Sequence, residues 1–333
     1  MNIKGKTIFF DKPPVIVGSA GVAGKKEGEG PLAYDFDAVY EDTTMGEDSY
    51  ELSESAMLNS ALTMALKNAN TQTEDVNFVL CGDLLDQGVA SSFAVKDLNV
   101  PFIGLFGACS TMALSLSLGS MLVDAGADCV AVGASSHFCS SERQFRFPLE
   151  YGGQRPPTAQ RTVTGCGSAI VKSQGSGIKI KATSIGTICD LGITDANNMG
   201  AAMAPAAEKT IFDFLQDTGT KPSDYDLILT GDLGFTGSEL LYELLEKEHN
   251  VNIRDYHNDC GLMIYNLKEQ DVNSGGSGCG CSGSVLCSHI FKRMKSGSLK
   301  KILFVATGAL MSPTSNKQGS PILGIAHAVL LEV

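Results

Sequence analysis

The chain repeats one pattern, and that repeat limits its folds more than any other feature. Thr73 to Leu84 reads Thr-Glu-Asp-Val-Asn-Phe-Val-Leu-Cys-Gly-Asp-Leu, and Pro222 to Leu233 reads Pro-Ser-Asp-Tyr-Asp-Leu-Ile-Leu-Thr-Gly-Asp-Leu. Each is a short apolar strand ending in Gly-Asp-Leu. A helical pattern precedes each, over Tyr50 to Asn68 and Ala201 to Leu215, and a second helix follows each. The echo continues downstream. After Cys109 come a helix to about Asp124, a turn at Gly126 and the strand Cys129 to Val132 running into Gly133-Ala134-Ser135. After Cys281 come a helix to about Met294, a turn at Gly297 and the strand Lys301 to Ala306 running into Thr307-Gly308-Ala309. Alternating helices and apolar strands call for right-handed βαβ units and mostly buried sheets. Two such series predict a duplicated α/β fold, with one half over residues 1–174 and the other over 175–333. The boundary is set by Ser173-Gln174-Gly175-Ser176-Gly177 between two apolar strands.

Gly107-Ala108-Cys109-Ser110 lies between the apolar run Pro101 to Phe106 and the small-residue helix from Thr111. That arrangement places a cysteine where a buried strand turns into a helix, at free amides and a positive dipole end that favour a thiolate. Duplication makes the loop Gly275-Gly276-Ser277-Gly278-Cys279-Gly280-Cys281-Ser282-Gly283 its counterpart. The two helix starts should converge on one cleft suited to an oxyanion or a carboxylate. The second loop holds no histidine, so the thiol lacks an evident base. Only His137 and His257 stand near sequence positions from which a base could reach the cleft.

At 333 residues and 43% hydrophobic content the chain can bury one large core or two medium ones. Its longest apolar runs are too short for a membrane span, and no basic-then-apolar leader opens it, so a soluble, cytoplasmic fold is expected. The ten cysteines then read as reduced thiols, several of them small core residues. A net charge of −12 argues against nucleic acid as a partner. Four of the six arginines nevertheless fall in one stretch, Arg143, Arg146, Arg155 and Arg161, alongside Glu142 and Glu150. This cationic island is either a paired surface or interface loop or an anion-binding element. Cys279, Cys281, Cys287 and His289 cluster, but without a recognised zinc spacing, and no metal site is expected. Asp83 and Asp232 should share a structural role at their turns. His327 reads as a core or edge residue, and Gly24 to Gly30, with Lys25, Lys26, Glu27 and Glu29, as a solvated loop.

The nucleophile segment from Gly107 and the strand Thr164-Gly165-Cys166-Gly167-Ser168-Ala169-Ile170-Val171 resemble those of the thiolase superfamily, which includes thiolases and ketoacyl-ACP synthases. That resemblance implies two pseudo-symmetric halves with mixed sheets and central helices. Matching Gly280-Cys281-Ser282-Gly283 to the superfamily's glycine motif puts Ser277 where a histidine normally stands. The superfamily's C-terminal cysteine has no counterpart near Ala306 to Gly308.

Further segments are similar to the stage V sporulation protein AD family of spore-forming bacteria. They are Phe106 to Thr111, Ser135-Ser136-His137, Glu142 to Arg146, Glu150 to Gln154, Asp190 to Asp195, Asp259 to Tyr265 and Gly275 to Cys281. The resemblance implies a sporulation protein that binds dipicolinic acid, with calcium carried alongside it, during uptake into the spore. It also implies integral SpoVA channel proteins as partners and peripheral association with the spore inner membrane, while the superfamily resemblance implies a homodimer. Dipicolinate is a planar aromatic dianion, so its site needs donors and a flat apolar wall. The expected ligand residues are Cys109, Ser136, His137, Arg143, Arg146, Ser277 and Cys281, around a degenerate thiolase site with no catalytic residue. The alternative is a condensing enzyme of the ketoacyl synthase type acting through a Cys109 thioester.

Overall fold

A computed structural model describes residues 1–145 and 155–333 of the chain. In the first half β1 (Asn2–Lys4), β2 (Thr7–Phe9) and β3 (Val15–Gly24) lead to α1 (Lys25–Gly28), β4 (Ala38–Tyr40) and α2 (Tyr50–Asn68). Next come β5 (Phe78–Gly82), α3 (Val89–Val95), β6 (Phe102–Leu105), α4 (Thr111–Asp124) and β7 (Cys129–Ser136). α5 (Phe138–Phe145), β8 (Arg161–Thr162) and β9 (Gly165–Lys172) complete it. The second half runs through β10 (Ile178–Ser184), α6 (Met199–Thr218), β11 (Leu227–Thr230), α7 (Gly234–His249), β12 (His257–Asp259) and α8 (Cys260–Met263). It ends with β13 (Gly276–Ser277), α9 (Cys279–Val285), α10 (Phe291–Lys295), β14 (Lys301–Leu310), α11 (Pro313–Lys317) and β15 (Leu323–Glu332).

The duplication holds strand by strand. The first half is ordered β3-β9-β7-β5-β6 and the second β10-β15-β14-β11-β12, and β3 pairs with β10 to join them into one large mixed sheet. β9 is antiparallel to both of its neighbours, as is β15, while β7, β5, β6 and β14, β11, β12 run parallel. The fold is therefore the duplicated α/β arrangement that the repeat predicts.

Helix boundaries follow local chemistry. The Ser49 hydroxyl caps α2 by accepting the Leu52 amide at 3.3 Å, and Met57, Leu58, Ala61, Leu62 and Ala65 bury one face of it against the first half's sheet. Asn198 caps α6, which Gly219 ends in the left-handed conformation at φ 67°. α6 and α7 cover the second half. Between these outer layers α4 and α9 pack against each other and against strands of both halves. Each residue of α9 is buried, and the helix continues through a π turn over Leu286–Ile290 into α10. Such central helices need small residues. A Cβ on Gly167 of β9 would come within 2.0 Å of the Gly283 carbonyl oxygen of α9, and one on Gly280 within 2.1 Å of the Gly165 oxygen.

Two local expectations change. The run before Cys109 is not a buried strand: β6 is the sheet's edge, with Phe102, Ile103 and Phe106 exposed, because only β5 flanks it. Gly24 to Gly30 is not simply solvated. Glu27 is fully buried, accepting the Thr164 amide at 3.1 Å and the Tyr265 hydroxyl.

Buried ionisable groups set how stability varies with pH. Glu54 of α2 accepts the hydroxyls of Ser135 and Ser140, each at 2.9 Å. Burial and the nearby Asp83 charge push its carboxyl up to about 8. Burial pushes His257 down to about 3 and His327 down to about 4. Above pH 6.5 these histidines are mostly neutral whether folded or not, but folded Glu54 keeps a proton that the unfolded chain has released. The folded state then binds more protons, and stability falls as pH rises from 6.5 to 8. A loss on the order of 1 kcal/mol is expected. Denaturant melts at both pH values check this, and the difference should shrink in Glu54→Gln.

Candidate functional site

The turn after β6 is tight. Ala108 adopts φ 48°, strained for a residue with a Cβ. The Ser110 hydroxyl donates to the Gly107 carbonyl at 2.6 Å, and the Thr111 hydroxyl to the Ala108 carbonyl at 2.7 Å. β14 closes on the turn, so a Cβ on Gly308 would lie 2.5 Å from the Gly107 oxygen. These contacts hold Cys109, 4% exposed, at the start of α4.

Across from the thiol stands Ser277, its Oγ 3.9 Å from the Cys109 Sγ. β13 carries it and pairs in parallel with β8, placing Thr162 beside it. Ser277 is tied to a buried carboxylate: Asp232 Oδ2 accepts the Ser277 hydroxyl at 3.0 Å and the Gly278 amide at 2.8 Å, and Oδ1 accepts the Thr307 hydroxyl at 2.8 Å. Asp232 lies near enough to the Cys109 thiol for its charge to act on it. Burial raises Asp232 to about 6 against the pull of these donors. Burial first, and then the Asp232 charge, push the Cys109 thiol well above its usual range. The helix start alone would favour a thiolate; in this setting desolvation and a like charge oppose it.

The shared role expected of Asp83 and Asp232 is not kept. Asp83 holds its own turn, accepting the Leu85 amide at 2.8 Å and the Ser91 amide and hydroxyl at 2.7 and 2.6 Å. In the second half the turn amides of Leu233 and Gly234 go to Asp259, at 2.9 and 3.0 Å. Asp232 is thereby free to reach the site. The repeat is broken at the point where the chemistry lies.

Cys109, Ser277, Thr162, Ser141 and Glu142 line a cavity of about 440 Å³, its open mouth included. Leu84, Phe106, Phe145, Met199 and Met311 supply apolar walls, and Ala309 lines it too. Among the described residues the buried Ser141 hydroxyl has no hydrogen-bond partner. Among the described residues no lysine, arginine or histidine lines this cavity.

The other sequence candidates lie elsewhere. Ser136 donates to the Val163 carbonyl at 2.7 Å and accepts the Gly280 amide at 3.2 Å, joining β7 to α9. His137 donates through Nε2 to the Thr43 carbonyl at 3.0 Å and accepts the Cys139 amide at 3.2 Å, so both ring nitrogens are engaged. Arg143 is ion-paired with Glu51. Arg146 and Glu150 lie outside the described residues. Cys281 is fully buried within α9, which starts at Cys279 rather than after Cys281. His257 bonds to Thr230 and Tyr242 at 2.8 and 2.7 Å. Cys279 donates to the Ser135 carbonyl at 2.8 Å, and His289 bonds to Asp35 at 2.6 Å. Among the described residues no group of three potential metal ligands converges. The Asp232 contact, and Ser141, Glu142, Thr162, Phe145 and Met199 as lining, escaped sequence reasoning. Glu142 stood in the arginine island, but no local signal gave its direction.

A family model described as Stage V sporulation protein AD (SpoVAD) matches residues 4–332. Stage V sporulation protein AD of Bacillus subtilis (strain 168) is 44% identical over 334 residues, covering 100% of this chain and 98% of that protein. Among solved structures, 3-oxoacyl-[acyl-carrier-protein] synthase III from Aquifex aeolicus VF5 superposes with a TM-score of 0.59 at 15% identity, covering 96% of this chain and 100% of that one. Cerulenin-bound OleA of Xanthomonas campestri superposes with a TM-score of 0.62 at 14% identity, covering 100% of both chains. At such identities the structural likeness establishes a thiolase-like fold and no activity.

Proposed function

The chain belongs to the stage V sporulation protein AD family, and on that premise we propose that it binds dipicolinate in the cavity beside Cys109 and serves its uptake into the developing spore. One observation carries the binding reading: the place opposite the thiol is held by Ser277 and a buried carboxylate, Asp232, instead of a base that would form a thiolate. A condensing enzyme needs that thiolate. A binding protein needs only a wall.

The lining bears on the form of the ligand. A bare dianion would meet hydroxyls, apolar walls and the Glu142 carboxylate, with no cation among the described lining residues. A calcium chelate, its carboxylates already neutralised, suits such a cavity better, and Glu142 is of the type that hard cations accept. The homodimer, the SpoVA channel partners and peripheral attachment at the spore inner membrane belong to the same proposal. The exposed apolar edge of β6 supports pairing with a second copy. No helix among the described residues is long and apolar enough to cross a membrane.

Calorimetry should give binding of calcium dipicolinate, weaker binding when calcium is chelated and none of pyridine-3,5-dicarboxylate. Ala309→Phe, which fills the cavity, should weaken binding at least tenfold, about 1.4 kcal/mol. Equal heats for the two isomers, or full affinity in Ala309→Phe, would sink this reading. Sedimentation of the same samples at twice the chain mass tests the pairing.

A further inference from the structure

We propose a second, separate ligand site: an oxyanion pocket built by Arg161 and Lys26 at the N-terminal end of α5, apart from the Cys109 cavity. The two spaces meet α5 at different positions along its length. Ser141, Glu142 and Phe145 face the apolar cavity, whereas Phe138 and Cys139 line a different one of about 610 Å³, open mouth included, and the two share no lining residue. Lys25, Lys26, Arg161, His137 and Thr164 contribute to the second pocket.

Two of its cations, Arg161 and Lys26, have no ion pair among the described residues. The Arg161 guanidinium lies 3.7 Å from the centroid of the Phe138 ring, and Arg155 stands 6.0 Å from the same centroid. Stacking fixes the plane of a guanidinium and leaves its N–H edge free to donate. Among the described residues, Arg161 Nε is buried without a hydrogen-bond partner, as is Nη1 of Arg155 outside the pocket lining. A buried donor left unpaired is costly, and a chain keeps one where something else completes it. Lys26 is half-buried beside Arg161, and burial first, then the Arg161 charge, disfavours its ammonium. An anion between them relieves both.

The pocket's carboxylates do not fill that role. Glu27 is committed to Tyr265 and the Thr164 amide, and burial pushes its carboxyl up. Glu29 is exposed, and Lys25 is already paired with Glu41 at 3.5 Å. His137 has no free ring nitrogen. What is left open is a stacked guanidinium edge next to an ammonium, which fits an anion with two or more oxygens, a phosphate or a small carboxylate.

Titration calorimetry at constant ionic strength, with inorganic phosphate in one arm and acetate in the other, tests this on the full chain. At least one anion should bind beyond a chloride control, and Arg161→Gln and Lys26→Gln should each weaken it at least tenfold. Arg161→Lys, which keeps the charge and loses the planar fork, should fall between and guards against misfolding of the Gln variant. Binding should persist in Ala309→Phe, separating this site from the dipicolinate cavity. If dipicolinate binding is lost in Arg161→Gln but kept in Ala309→Phe, the oxyanion pocket stands and the cavity reading fails. No binding of either anion, or equal affinity in the wild type and both Gln variants, overturns the pocket.

Discussion

Asp232→Asn is expected to speed alkylation of Cys109 by iodoacetamide about tenfold at pH 8. A like charge beside a titrating group is worth roughly 1–3 pKa units, so removing it multiplies the thiolate fraction by about 10 to 1,000. A less basic thiolate is also less nucleophilic, with a Brønsted slope near 0.4–0.5, which offsets about half of that gain. The amide keeps the carboxylate's shape, and the hydroxyls of Ser277 and Thr307 can turn to suit it, so the stability cost should be about 1–2 kcal/mol. Peptide mass mapping at timed points reads the rate at Cys109. The wild type should not gain mass from acyl-CoA donors, because burial and the Asp232 charge keep its thiol protonated. An acyl adduct on the wild type, lost in Cys109→Ser, would restore the condensing-enzyme reading. An unchanged alkylation rate would show that Asp232 does not hold the thiol in its protonated form.

The largest loss of stability is expected from Gly167→Ala. The new Cβ would sit 2.0 Å from the Gly283 oxygen, 2.2 Å from its carbonyl carbon and 2.6 Å from its Cα. Each of these is backbone of α9, so no side chain can swing aside, and the central helix must move off β9. A cost of about 3 kcal/mol or more follows, at the upper end for overpacking. Gly104→Ala is the control, since its Cβ meets only the Phe102 ring at 3.4 Å on the exposed edge strand. Urea midpoints should fall markedly for the first variant and hardly at all for the second. Equal midpoints would mean that the α9–β9 contact is looser than its geometry.

The repeat was legible because each half carries the same local instructions. Periodic apolar positions made α2 readable from Tyr50 to Asn68, its observed span. Apolar strands ending in Gly-Asp-Leu marked β5 and β11. Strand ends were less legible: β14 runs to Leu310 because it pairs with β15 along its whole length, a long-range choice without a local mark. The exposed face of β6 was misread for a similar reason. Apolar composition shows that a strand can be buried, but its place in the sheet decides whether it is.

In the site, the sequence identified the Cys109 turn, and its resemblance to the thiolase superfamily put Ser277 where that superfamily carries a histidine. Both follow from short contiguous motifs in which backbone requirements and residue type coincide. Tertiary structure decided what those residues face. Asp232 reads in sequence as the twin of Asp83, and only the packing of β12 against β11, which hands the Leu233 and Gly234 amides to Asp259, releases it towards Ser277 and Cys109. Likewise the arginine island is one run in sequence, but its described members split, with Arg143 on Glu51 and Arg155 and Arg161 on Phe138. A hydrogen bond or a desolvation cost depends on distances of a few ångströms between segments far apart in the chain. Those distances exist only once the sheet and its central helices are assembled.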